Sequence, residues 1–456
     1  MKTLWSQTGA ANAAMLAYTV GDDREWDRTL LRWDVLGSLG HIEGLLAARL
    51  LTGRDHARLR AALRTALRAV DRGRLSIGIE HEDAHSAVEA WLTRRLGAAG
   101  ERVHTGRSRN DQVAVDIRLY LKDRLLSIEE AAADLVEVLL DFAAANRTAL
   151  WPGYTHARRA MPASAGFWAA ALAEGLLDTA EAVTSVWDQV DRSPLGSAAG
   201  YGVPLPLPRE RVARALGFGR AEHALGAVQN GRGKLEAGVL FWCVQLGHDL
   251  SRLASDVIVL SGEEFGLLEL PVELATGSSI MPHKRNPDVF ELTRARVAAL
   301  EGDLAQTLAI RAKLTSGYHR DFQLLKAPLF SGLDRTLAML RMMTIAVPAL
   351  TVRRDRGLAA LAGGALATDE VMRRVEQGTP FRRAYREVAA ALERGERFPT
   401  PTRAELLARR QSTGGIGNLD LRAPRARLSA VRRRCRLERK AFERAMARLA
   451  GRRGRQ

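Results

Sequence analysis

Two cysteines in 456 residues, Cys243 and Cys435, are too few for a disulfide framework, which excludes the small disulfide-stapled class and suits a reducing compartment. Aromatic residues are scarce at 5%, and the abundance of Ala, Leu and Arg argues for helix against a β-sandwich. No uninterrupted apolar run approaches the ~20 residues of a membrane-spanning helix. The opening residues, Met1 to Thr8, hold no apolar core of a signal peptide. A soluble, cytoplasmic protein is therefore expected. At this length, with 46% apolar residues, the chain is too long for one ordinary core, and two or three domains are expected.

Acidic residues are also in deficit, giving a net charge of +16, which raises the question of nucleic acid. The excess is local. From Arg422 to Gln456 there are fourteen Lys/Arg against two Glu, a balance of +12, which leaves +4 for the other 421 residues. Leu428, Val431, Cys435, Phe442, Met446 and Leu449 form an apolar stripe within that segment, with no interleaved aromatic series. A helix with a solvated arginine face is the expectation, and nucleic acid is not expected as a partner.

What the chain does have is a thirteen-residue segment of unusual order, Thr276-Gly277-Ser278-Ser279-Ile280-Met281-Pro282-His283-Lys284-Arg285-Asn286-Pro287-Asp288. It starts as a loop and ends as a helix start, with Asn286 as expected cap and Pro287 in the first position. Phe290, Thr293, Val297, Leu300 and Leu304 then recur at helical spacing. A hydroxyl, an ammonium and an amide are thus delivered beside a helix N-terminus, where anions bind well. Long apolar seams follow the same logic elsewhere. One runs through Leu121, Leu125, Ile128, Ala132, Leu135, Leu139 and Phe142, another from Leu176 to Val190, a third from Val239 to Leu260, and a fourth from Leu329 to Leu340. Such helices cannot bury their seams singly and should bundle.

Other stretches carry chemistry. Before residue 107 short helical segments are expected, with turns at Gly21-Asp22-Asp23 and Gly53-Arg54-Asp55. His81-Glu82-Asp83-Ala84-His85 satisfies the zinc-hydrolase pattern, in which two histidines share a helix face and Glu82 acts as base. The longer metzincin pattern fails at Val88 and Trp91. The competing reading is a polar helix in which Glu82, Asp83 and His85 support a site. His104-Thr105-Gly106-Arg107-Ser108-Arg109-Asn110-Asp111-Gln112 combines a tight turn, competent helix caps and guanidinium forks suited to carboxylates. Thr155-His156-Ala157-Arg158 lies in an expected loop between prolines, and Ser193 to Gly202 is a small-residue loop.

The segment 276–288 resembles the signature of the fumarase/aspartase superfamily, and the box from His104 to Gln112 resembles that of the argininosuccinate lyases at every position. Tyr318-His319-Arg320-Asp321-Phe322-Gln323, with Lys326, is similar to a third family stretch, Gly378 to Arg382 to a fourth, and Leu4-Trp5 to the family's opening. Ala157 and Arg158 replace the usual Leu-Gln, and Gln229 to Lys234 departs from the family pattern, which lowers Arg232 as a candidate.

The resemblance implies an all-α, three-domain fold with a long central helical bundle. Residues 1–106 would form an N-terminal helical domain, 107–351 the bundle carrying the signature loop, and 352–456 a small C-terminal helical domain with the basic tail. It implies a homotetramer with active sites assembled from three subunits, and elimination of argininosuccinate to arginine and fumarate. It carries Ser278 as base, His156 as proton-handling partner, Glu291 as its orienting group and Lys284 as electrostatic catalyst. Ser108, Arg109, Asn110, Thr155, Asn286, Tyr318, Gln323 and Lys326 would bind substrate. No metal and no other cofactor is implied. The alternatives are an adenylosuccinate-type lyase, suggested by Pro282-His283-Lys284-Arg285, a zinc hydrolase through His81, Glu82 and His85, and a non-catalytic structural protein.

Overall fold

The structure, a computed structural model, describes residues 12–78, 81–399 and 401–452. Leu4 and Trp5 lie outside the described residues. Ahead of the bundle come α1 (Ala13–Val20), α2 (Asp23–Ala47), α3 (Gly53–Asp71), α4 (Ala84–Leu96) and the one-turn α5 (Ala98–Glu101). At 25 residues α2 is not a short segment. Gly53-Arg54-Asp55 opens α3 instead of forming a turn, because the Thr52 hydroxyl accepts the Asp55 N–H at 3.0 Å and caps the helix there.

The longest element is α6 (Arg109–Ala145), whose 37 residues span roughly 55 Å at 1.5 Å each. Every residue of its expected seam is buried. The segment expected as a loop then forms an antiparallel hairpin of β1 (Leu150–Thr155) and β2 (Arg158–Ser164), in which Thr155 pairs with Arg158. The seam from Leu176 to Val190 is divided between α7 (Ala165–Glu181) and α8 (Val183–Val190), which meet at Ala182. The parallel pair β3 (Arg192–Ser193) and β4 (Arg220–Ala221) brackets α9 (Arg209–Ala215), and α10 (Leu225–Asn230) leads into α11 (Lys234–Ser261).

After β5 (Leu268–Glu269) comes the signature segment, a small hairpin of β6 (Thr276–Gly277) and β7 (Arg285–Asn286), then α12 (Asp288–Arg311) and α13 (Lys326–Ala349). Strand β8 (Thr351–Val352) returns to pair with β5. α11, α12 and α13 pack on one another, α13 packs on α6, and α7 bridges α6 and α11. One apolar core runs through all of them and into α2, α3 and α4. Helices α14 (Arg354–Ala359), α15 (Ala367–Glu376), α16 (Phe381–Glu393) and α17 (Arg403–Ala408) surround two small separate clusters.

The last helix, α18 (Arg422–Ala450), returns to the main core and lies against α6 and α7. Leu428, Val431, Cys435, Phe442 and Leu449 are buried, and Met446 packs against them. Many of its arginines are answered by carboxylates of the helices beneath, including Arg427 by Asp178 and Glu181, Arg432 by Asp134 and Glu137, and Arg439 by Asp123 and Glu130. Those pairs are largely solvated, so apolar burial carries the docking. Phe442→Ala is expected to cost about 3–5 kcal/mol and Arg432→Ala less than about 1 kcal/mol, compared by urea unfolding. The reverse order would make charge the fastening. Both cysteines are buried and unpaired. No helix among the described residues is long and apolar enough to cross a membrane.

Candidate active site

A cavity of about 460 Å³ opens where the N-terminus of α6 meets the segment before α13. Ser108 is the N-cap of α6 and Asp111 completes a capping box, its Oδ1 accepting the Ser108 N–H at 2.9 Å. The other Asp111 oxygen accepts the Gly196 and Ala198 N–H groups, each at 3.0 Å, which ties the small-residue loop to the helix start. Burial pushes Asp111 up to about 6 despite those bonds. Arg109 donates to Glu82 Oε2 and Asp83 Oδ2, both at 2.8 Å, so Ser108, Arg109 and Asn110 line one wall with the acidic pair facing them.

Tyr318, Gln323 and Lys326 line the opposite wall. Gln323 Nε2 donates to the Thr19 and Val20 carbonyls at 3.0 and 3.1 Å. Lys326 is 4% exposed and its Nζ is held by Asp23 at 2.8 Å and by Asp27. Burial opposes the Lys326 charge, but Asp27 and Asp23 outweigh it and raise its pKa. Burial in turn lifts Asp23 above the usual carboxylate range, against the pull of Lys326. Two of the sequence motifs, 208 positions apart at Tyr318 and Asn110, thus share one cavity whose cations and carboxylates suit a small substrate bearing both charges.

The remaining candidates do not line that cavity. Thr155 and His156 are exposed at the tip of the β1–β2 hairpin, where His156 and Ala157 both have positive φ (51° and 57°). A two-residue turn with that sign at both positions matches the twist of the flanking strands, at a steric cost that glycine would avoid. Ser278 is half-buried and Lys284 exposed on the flap between β6 and β7. The Ser278 Oγ accepts the N–H groups of Ile280 (3.3 Å) and Met281 (3.1 Å). Asn286 is half-buried in β7 and does not cap α12; Pro287 occupies the cap position, so the helix begins one residue later than expected. Thr276 donates its hydroxyl to Asp288 and closes the base of the flap. Glu291 is exposed on the first turn of α12.

The zinc pattern loses its geometric basis. Asp83 is the N-cap of α4, its carboxylate accepting the Ser86 N–H at 2.8 Å, so the helix begins at Ala84 and His81 precedes it. The two histidines therefore do not share a helix face. Glu82, Asp83 and His85 instead line the cavity.

Asp23 and Asp27 are not among the expected site residues, although acids four residues apart at a helix start are a signal in the sequence. Arg232, in a stretch that departs from the family pattern, belongs to the site as well. That side chain is 5% exposed, lines the cavity, donates to Glu236 at 2.9 Å and leaves Nη1 buried without a partner.

A family model described as Lyase matches residues 42–302. The argininosuccinate lyase of Sorangium cellulosum is 43% identical over 418 residues, 92% of this chain and 96% of that one. The chain belongs to the argininosuccinate lyase family. The family member of Thermotoga neapolitana is 40% identical, covering 85% of this chain and 97% of its own. Among solved structures, EDDS lyase in complex with formate aligns with a TM-score of 0.82 at 24% identity, over 97% of this chain and 95% of that one. A class II fumarase from Schistosoma mansoni aligns at 0.68 and 17% identity, over 86% and 93%. The all-α fold is that of the fumarase/aspartase superfamily.

Proposed function

We propose that this chain is an argininosuccinate lyase, eliminating arginine from argininosuccinate to leave fumarate. The observation that carries the reading is the meeting of the box at Ser108-Arg109-Asn110 with Tyr318, Gln323 and Lys326 in one charged cavity, in a chain 43% identical to a family member over nearly its whole length. The substrate carries three carboxylates and a substituted guanidinium, a charge pattern that the cavity's mixed walls can answer.

In this reading Ser278 removes the proton beside a carboxylate. A hydroxyl is a poor base unless ionised, and the two N–H groups on its Oγ, with Lys284 on the same flap, stabilise the alkoxide. Deprotonation places a second negative charge on the neighbouring carboxylate, which Lys284 and Asn286 meet as fixed donors. His156, oriented by Glu291, hands a proton to the departing guanidinium nitrogen. These roles call on no metal or other cofactor.

We further propose that the site is completed between subunits of a homotetramer, with the flap and the His156 hairpin contributed to a neighbour's cavity. Phe241 on α11, Leu292 and Leu308 on α12 and Ile345 on α13 are each half or more exposed in the single chain, and covering them on assembly supports this reading.

The purified protein, incubated with argininosuccinate and separately with adenylosuccinate, is expected to release fumarate from the first alone, at a rate unchanged by EDTA. Fumarate absorbance in the ultraviolet reads both. Turnover of adenylosuccinate alone would move the chain to the rival lyase class, and loss of rate with EDTA would reopen a metal role.

A further inference from the structure

Behind the cavity wall sits a charge cluster that the proposed mechanism does not use. His85 lies in the first turn of α4, 7% exposed, and its Nδ1 is hydrogen-bonded to Asp34 of α2, itself 1% exposed. Asp116 of α6 lies 3.8 Å from the same nitrogen, also 1% exposed. Both Asp116 oxygens and Asp34 Oδ1 are buried with no hydrogen-bond partner, and burial, then the Asp34 charge, lifts Asp116 well above the usual carboxylate range, so its charge depends on the His85 cation beside it. His85 nevertheless lines the cavity, and with Nδ1 engaged its remaining donor is Nε2.

We propose that His85 is a further substrate-binding residue, an imidazolium that takes one substrate carboxylate through Nε2, and that Asp34 and Asp116 are the positioning residues that keep it cationic. The inference rests on reading this cavity as the argininosuccinate site.

The groups facing His85 come from every neighbouring element. Asp27 and Asp34 lie on α2, Asp83 caps α4, Gln112 and Asp116 lie on α6, and His104, Arg107 and Arg109 precede or begin α6. Burial opposes the His85 charge, but Asp34, Asp83 and Asp116 outweigh it and hold the ring at about 9. His104 goes the other way, pushed down to about 4 by burial and then by Arg107 and His85, so it is neutral where His85 is charged. A ring with a raised pKa keeps its charge below about 9 and loses it only as pH rises through that value.

The test is KM for argininosuccinate against pH. Wild type is expected to hold a flat KM from pH 6 to 8. Asp34→Asn, which keeps the shape and removes the charge, should raise KM tenfold or more at pH 8 and return toward wild type at pH 6, with kcat changed much less. His85→Asn should raise KM without recovery at pH 6, and the double variant should be no worse than His85→Asn alone. If Asp34→Asn does not fold, Asp116→Asn, whose carboxylate makes no hydrogen bond, should show a pH-dependent KM of the same sign and smaller size, because burial and Asp34 hold Asp116 toward its neutral form. A KM profile parallel to wild type in the folded variant, or additive losses in the double variant, overturns the inference. Failure of wild type to cleave argininosuccinate at all would instead overturn the proposed function.

Discussion

Ser278→Ala is expected to lower argininosuccinate turnover by on the order of 10³-fold, in the range that removal of a general base commonly gives. In the resting flap the hydroxyl makes hydrogen bonds to its neighbours, the N–H groups of Ile280 and Met281, and the half-buried residue belongs to no apolar cluster. Losing it removes no core contact, so helical content, thermal stability and oligomer size should stay at wild-type values. About 4 kcal/mol of barrier would then be assigned to one oxygen atom. The substrate should still bind, because the cavity walls at Ser108 to Asn110 and Tyr318 to Lys326 are untouched. A Ser278→Ala protein turning over at the wild-type rate would remove Ser278 as base and turn attention to His156. A protein that loses rate together with its assembly would show the flap to be structural.

Lys326→Met should give the largest loss of stability among single changes at the site. The ammonium is the shared partner of Asp23 and Asp27, and the side chains of all three are 15% exposed or less. Methionine fits the space but leaves the carboxylates without their cation, and breaking a buried pair from one side costs about 3–5 kcal/mol. The urea midpoint, compared with wild type at equal protein concentration, should fall accordingly. Adding Asp27→Asn to the variant should restore part of the loss by removing one stranded charge, a recovery that mere loss of packing would not produce. Because Asp27 also accepts the Ala84 N–H at 3.0 Å, the recovery should be partial. A loss below about 1 kcal/mol would mean that water reaches the carboxylates when the lysine is gone.

Much of the fold was legible because its signals are local. The seam from Leu121 to Phe142 repeats within a few residues, and a helix is the conformation that brings such residues to one face. Boundaries were less legible where two caps competed. At the start of α12, Asn286 was the better cap by residue type, but its backbone is committed to the β6–β7 pair. At α4, Asp83 captures the cap and excludes His81 from the helix, which dissolves a pattern that looked metal-binding on paper. The hairpin at His156 was missed because neither turn residue is glycine, although both take positive φ.

The sequence by itself determined the all-α architecture, the long central helices, the docking stripe of the basic tail and the family boxes, since each is written in neighbouring residues. Only the tertiary structure decided which charges meet. Lys326 finds its carboxylates about 300 positions away, at Asp23 and Asp27, and His85 draws its charge from Asp34 and Asp116 on two other helices. Hydrophobic periodicity acts along the chain and can be read there. Burying a charge is tolerable only beside its opposite, and that partner is chosen by packing in three dimensions.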